Sequence, residues 1–248
     1  MKLTLDIWRQ PDAKSAGHFE AYEVDDLDEG MSIPEAFDRL NEHLIEKGED
    51  PVSIESDCRE AICGSCGVVI DGKPHGPTPH LTTCMQRMRQ FGDGQRLRIE
   101  PMRSTAFPVL KDLIVDRSAM DRVIAAGGNV SVEAGSAPDA ESQLIDHDLL
   151  ETALDYAICI GCGCCVAACP NGAANLFTGA KLMHLMLLPI PSVERNRRAE
   201  RMVAAMEDEF GACSLYGECE AVCPQEIKLT AVAAVQHERL GAFLARRL

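Results

Sequence analysis

Two cysteine runs in the second half of the chain constrain it more than any other feature. The first, Cys159-Ile160-Gly161-Cys162-Gly163-Cys164-Cys165-Val166-Ala167-Ala168-Cys169-Pro170, contains the frame C-x2-C-x2-C-x3-C-P. The second repeats it with one change: Cys213, Cys219, Cys223 and Pro224 are in register, and Tyr216 stands where the second cysteine belongs. Upstream, Cys58-Arg59-Glu60-Ala61-Ile62-Cys63-Gly64-Ser65-Cys66, with Cys84 further along, follows C-x4-C-x2-C…C.

Two-residue gaps let thiolates on a tight loop converge on one cubane, while the longer gap and the proline send the last sulfur elsewhere. In the bacterial ferredoxin run, the fourth cysteine ligates the other cluster of a pair. Applied to both runs, Cys159, Cys162, Cys165 and Cys223 form one ligand set for a [4Fe-4S] cluster. Cys169, Cys213 and Cys219 form the other. A phenol is a poor ligand for soft sulfide-bridged iron, so the Tyr216 corner is expected to be vacant and that cluster to be [3Fe-4S]. Cys58, Cys63, Cys66 and Cys84 have the plant-type [2Fe-2S] spacing. Gly64 and Gly67 are small enough to let backbone amides turn toward the sulfurs. A structural zinc knot is the alternative, but zinc ligands usually come as two short C-x2-4-C pairs. Cys164 is surplus to the frames and reads as a small buried thiol. His75 and His80, in a Pro-rich loop before Cys84, have no missing thiolate to replace and are expected at the surface.

A chain of 248 residues suffices for two modest domains with separate cores. Its twelve cysteines, bunched at metal-ligand spacings, imply a reducing compartment rather than a disulfide scaffold. The first residues lack both an apolar signal core and a basic transit pattern, so the mature chain is expected to begin here. The longest apolar run, 182–190, is broken by His184 and Pro189 and falls short of the ~20 residues that cross a bilayer. A net charge of −15 argues against nucleic acid as a partner, which requires clustered positive charge.

Alternation over Leu3, Leu5 and Ile7, and again over 18–24, predicts a hairpin. Ser32 followed by Glu35 is a capping box, and Phe37, Leu40, Leu44 and Ile45 predict a helix ending at Gly48. Short strands are expected over 52–54, 68–70 and 97–99. The prolines of 101–108 place a boundary near Ser104, dividing the chain into 1–104 and 105–248. Beyond it everything is expected to be α-helical. Leu110, Leu113, Ile114, Met120, Val123 and Ile124 form one apolar face, 129–140 is a loop, and a helix begins near Asp146. A helix from about Ala173 to Pro189 is apolar on more than one face. Helices over 193–210 and 229–248 follow, the first opening with Arg195, Arg197, Arg198 and Arg201, a run expected on a solvated face.

One plant-type frame followed by a ferredoxin pair lacking one second-site cysteine closely resembles the iron-sulfur subunit of succinate dehydrogenases and fumarate reductases, over essentially the whole chain. The 58–66 loop, Cys164 and the C-x5-C-x3-C-P ending at 213–224 sharpen the likeness. The resemblance implies an α+β chain: a β-grasp [2Fe-2S] ferredoxin-like domain, then an all-α domain carrying [4Fe-4S] and [3Fe-4S]. It implies an FAD-containing flavoprotein partner and a membrane-anchor cytochrome b, with haem b possible in the anchor. Electrons from succinate would pass from FAD through the three clusters to quinone, at the cytoplasmic face of a bacterial plasma membrane. No residue of this chain is assigned to bond-breaking chemistry.

Ubiquinone-linked members carry tryptophan five residues after the counterpart of Cys169 and histidine directly after that of Cys213. Ala174 and Ser214 occupy those places here, which favours menaquinone, with Pro170, Ala174, Ser214 and Tyr216 in the quinone's vicinity. His184 is read as a histidine covered by partner protein. Fumarate reduction through the same wire, service to another flavin dehydrogenase, and a hydratase that binds substrate at an open iron are the competing functions. The last lacks a substrate domain.

Overall fold

The computed structural model describes residues 1–129 and 144–245. Strand β1 (Leu3–Arg9) buries Leu3, Leu5 and Ile7, as period-2 alternation requires. It pairs antiparallel with β2 (His18–Val24), the expected hairpin. Helix α1 (Ile33–Glu46) starts at the capping box: the Ser32 amide donates to Glu35 Oε2 at 2.7 Å and the Glu35 amide to Ser32 Oγ at 3.5 Å. Its Ile33, Phe37, Leu40 and Leu44 are buried, each contributing about 1.5–3 kcal/mol of apolar transfer. Strands β3 (Val68–Ile70), β4 (Lys73–Pro74) and β5 (Arg96–Pro101) complete a mixed sheet of order β2-β1-β5-β3-β4, with β1 and β5 parallel. Sheet and helix enclose one core.

The strand expected over 52–54 is absent. Side chains take its backbone bonds instead: Asn41 brackets Val52 with bonds of 2.8 and 3.0 Å, and the Ser53 amide donates to Asp112 Oδ2 at 2.9 Å. The all-helical expectation past residue 104 also needs correction. β6 (Val109–Lys111) and β7 (Ile114–Val115) form an antiparallel hairpin whose tip reaches back to the first core. Asp112 donates its amide to Gln10 O at 2.8 Å, and Leu113 is buried with Leu5 and Phe37.

From α2 (Ser118–Gly127) onward every regular element among the described residues is a helix. α3 (His147–Ala157) starts where Asp146 Oδ1 accepts the Leu149 amide at 3.0 Å. The short α4 (Cys164–Ala168) precedes α5 (Asn175–Met186), α6 (Ser192–Glu209), the short α7 (Glu218–Ala221) and α8 (Thr230–Ala245). α5 is covered by α3, α6 and α8, the coating its all-round apolarity calls for. The loop expected over 129–140 lies, except for Asn129, outside the described residues, as do the last three residues of the C-terminal helix.

The arginine run of α6 divides. Arg197 and Arg201 are exposed, Arg195 pairs with Glu238 on α8, and Arg198 is buried. Arg198 pairs with buried Glu194 and donates to the carbonyls of Gly127 and Asn129. A helix end leaves such carbonyls without intrahelical partners, which is why a charge from the run turns inward. Among the described residues no helix is long and apolar enough to cross a membrane.

Candidate metal centres

The 58–66 loop wraps backbone amides around sulfur. Glu60, Ile62 and Cys63 direct their N–H groups to Cys58 Sγ at 3.3, 3.4 and 3.3 Å. Positive φ at Arg59 (57°) and Ala61 (63°) turns successive amides inward, a concave nest that favours negative charge. Burial pushes the Cys63 thiol up, but the Ser65 hydroxyl at 3.1 Å and backbone amides outweigh it and bring the thiol down to about 7. Cys84 lies buried in the short 3-10 turn at 83–85. Hydrogen bonding from Cys66 draws its thiol down against burial, with help from Thr82 Oγ1 at 3.2 Å.

The two ferredoxin runs share one backbone. Gly161 and Gly163 have φ of 64° and 84°; their register partners Leu215 and Gly217 have 57° and 87°. Gly163 then begins α4, and Gly217 begins α7. Two residues past each proline, Gly172 and Glu226 again match at 60° and 52°. A side chain in this region costs roughly 1–2 kcal/mol, so its repetition at Leu215 and Glu226 marks a conserved turn geometry within the chain. Tyr216 occupies the position of Cys162.

One cleft is lined by Cys159, Cys162, Cys164, Cys165 and Cys223, and a second by Cys169, Cys213, Cys219, Ser214 and Tyr216. Burial pushes Cys165 well up and Cys223 up to about 11. Thiols so placed ionise when a cation compensates them, as iron does. Lys181 Nζ donates to Cys159 O at 2.5 Å. Cys164 is buried, its thiol toward Val222 O at 3.6 Å. Donor type, grouping and amide-lined sulfur all fit iron-sulfur clusters.

The loops meet. A Cβ on Gly64, whose φ is +71°, would lie 2.6 Å from Ile160 O and 3.1 Å from Cys162 Cα. Arg117 Nη1 donates to Gly64 O at 2.7 Å, Cys162 O at 3.3 Å and Gly161 O at 3.5 Å, while its Nη2 pairs with Glu55 at 3.3 Å. The sequence offered no sign of this arginine's role.

Residues 4–122 match the model of the 2Fe-2S iron-sulfur cluster binding domain and residues 158–228 that of the 4Fe-4S dicluster domain. The succinate dehydrogenase iron-sulfur subunit of Bacillus subtilis (strain 168) is 30% identical, over 96% of this chain and 92% of the relative. This chain belongs to the succinate dehydrogenase and fumarate reductase iron-sulfur subunit family. The fumarate reductase iron-sulfur subunit of Mycobacterium tuberculosis (strain CDC 1551 / Oshkosh) is 29% identical, over 97% of this chain and 93% of that one. A chain of the Mycobacterium smegmatis Sdh1 complex in the apo form shares the fold, with a TM-score of 0.69 at 23% identity over 95% and 94% of the two chains. The subunit is thus an α+β electron-transfer component of an oxidoreductase complex, with [2Fe-2S] and [4Fe-4S] binding domains.

Of the residues singled out for quinone, Ser214 and Tyr216 line the second cleft; Tyr216 is 60% exposed and Ser214 Oγ accepts from Asn171 at 2.8 Å. Pro170 is exposed nearby in sequence, and Ala174 is fully buried. His184 is half-buried, and burial, with the Lys181 charge, lowers its pKa. His80 is exposed as expected, whereas His75 is not: it is 1% exposed, drawn inside by packing between the units.

Proposed function

We propose that this subunit carries electrons from the FAD of a flavoprotein subunit to menaquinone at a cytochrome b anchor, on the cytoplasmic face of a bacterial plasma membrane, in the direction of succinate oxidation. Cys58, Cys63, Cys66 and Cys84 would hold the [2Fe-2S] cluster. Cys159, Cys162, Cys165 and Cys223 would hold the [4Fe-4S], and Cys169, Cys213 and Cys219 the [3Fe-4S]. Bound there, the clusters supply one-electron stations whose potentials are tuned by type, charge and sulfur hydrogen bonding. The chain's part is to hold the stations close, to ration water and to aim amides at sulfur.

One observation carries the reading: the 58–66 loop rests directly on the 159–165 loop, with Gly64 against Ile160 and Arg117 tying both. Adjacent stations need that contact. The division into 1–104 and 105–248 is supported by the buried clusters, since Ile99 belongs to the first and Phe107 to the second; the β6–β7 hairpin is then an arm of the second unit laid on the first. Menaquinone is supported by Ser214 and Ala174 at the positions noted above. Fumarate reduction through the same wire draws support from the relatives, which bear both names.

The test is purification of the complex and EPR before and after succinate. Reduction of all three clusters by succinate and an oxidised [3Fe-4S] signal are expected, together with menaquinone on solvent extraction. A copurifying flavoprotein that ignores succinate and fumarate would overturn the assignment to this reaction.

A further inference from the structure

One buried histidine between the two units is unused by the ligand frames. His75 Nδ1 accepts the Thr83 backbone N–H at 3.3 Å and lies 3.1 Å from Thr83 Oγ1. That hydroxyl oxygen accepts the Val68 amide at 3.5 Å, leaving its own proton free for Nδ1. A ring nitrogen that accepts carries no proton, so in neutral His75 the proton is on Nε2. Nε2 is buried and has no hydrogen-bond partner among the described residues. Leaving such a donor unpaired is costly, so what it faces is informative.

A ring nitrogen of His75 and the sulfurs of Cys162 and Cys164 lie within 4.8 Å of one another. The Cys164 thiol is engaged with the Val222 carbonyl at 3.6 Å. A neutral thiol is at best a weak acceptor, whereas a ligand thiolate at Cys162 is a charged and stronger one, so Cys162 is the acceptor the ring favours. Gly67 packs beside the ring: a Cβ there would stand in ordinary contact with His75 Cε1 at 3.6 Å and would crowd Met102 Sδ at 2.8 Å. Met102, Cys162 and Cys164 form a small buried cluster across the two units. The imidazole therefore lies beside Gly67, which precedes Val68 and follows Cys66, bonds to Thr83 next to Cys84, and faces Cys162.

We infer that His75 is a positioning residue whose Nε2–H donates to the Cys162 thiolate, so that the first unit sets the reduction potential of the centre held by the second. This rests on Cys162 being a [4Fe-4S] ligand. A donor to a ligand sulfur offsets the extra negative charge of the reduced cluster and raises its potential. The bond also gives the buried Nε2–H its partner.

The test uses the assembled complex with His75→Phe, which keeps a ring but no donor, and His75→Gln, which restores an N–H. EPR-monitored redox titration should place the [4Fe-4S] midpoint of His75→Phe below that of the parent and leave [3Fe-4S] unmoved, with His75→Gln returning toward the parent. An unchanged [4Fe-4S] midpoint in His75→Phe, or equal shifts in both variants, would overturn the inference. HYSCORE on the parent complex grown with 15N-histidine gives a readout that needs no variant. A histidine nitrogen coupled to the reduced [4Fe-4S] is expected, and no coupling would count against the bond. A parent complex without any [4Fe-4S] signal would instead sink the ligand assignment, and the inference with it.

Discussion

Arg117 Nη1 donates to the carbonyl of Gly64 at 2.7 Å, joining the second unit's first helix boundary to the loop that carries Cys63 and Cys66. The same nitrogen reaches Cys162 O at 3.3 Å, so one guanidinium bridges the backbones of two cysteine loops. A planar fork with several donors suits this task; an ammonium does not.

Arg117→Ala should therefore loosen the junction, at a cost of about 2 kcal/mol, the scale of a hydrogen bond to a charged group. Arg117→Lys should recover less than half of that. Urea unfolding at neutral pH measures both. An unchanged midpoint in the alanine variant would mean that the bonds exchange freely with water.

The proposed crossed ligation makes a discriminating pair of variants. Cys223 lines the cleft of Cys159, Cys162 and Cys165 although it lies in the second run, and Cys169 lines the cleft of Cys213 and Cys219 although it lies in the first. Cys223→Ser should impair the [4Fe-4S] centre and spare the [3Fe-4S] signal; Cys169→Ser should do the reverse. EPR of each variant reads this directly. Loss of the [3Fe-4S] signal alone in Cys223→Ser would refute the exchange.

Arg198 and Glu194 are both buried, 3% and 8% exposed. Arg198→Ala should cost about 3–5 kcal/mol, since it removes the cationic partner of the buried Glu194 carboxylate and strips the Gly127 and Asn129 carbonyls of their donor. Arg198→Met with Glu194→Leu removes both charges, and its urea midpoint should lie well above that of Arg198→Ala. Equal losses would show that packing, not the broken ion pair, sets the cost.

The parts legible in the sequence are those whose causes are local. The Ser32 to Glu35 cap, the alternation of Leu3, Leu5 and Ile7, and the Asp146 start each follow from neighbours along the chain. The hairpin at 109–115 was hidden because Leu110, Leu113 and Ile114 have helical spacing. What turns the chain there is Asp112, with φ of 47° and carboxylate bonds to the amides of Gln10 and Ser53, partners far away in sequence. His75 and Arg198 are buried against the sequence expectation for the same reason: their burial comes from long-range packing. At the site, the sequence disclosed the cysteine frames. Arg117, which brings two of the loops together, carries no local signal.

Tyr216 holds the place of Cys162 in a backbone whose turn angles repeat on either side of it, Gly161 with Leu215 and Gly163 with Gly217. The loop geometry that presents a sulfur at position 162 is thus already built at 216, and Tyr216 lines the cleft of Cys169, Cys213 and Cys219. Its side chain is 60% exposed, so replacing it removes little packing, and the expected stability change is within about 0.5 kcal/mol. Tyr216→Cys should supply the missing thiolate and convert [3Fe-4S] to [4Fe-4S]. The oxidised-state EPR signal should disappear, a reduced-state signal should replace it, and the potential should move, since cluster type helps set it. Survival of the [3Fe-4S] signal in that variant would mean that the second run is misaligned and that another residue faces the open corner.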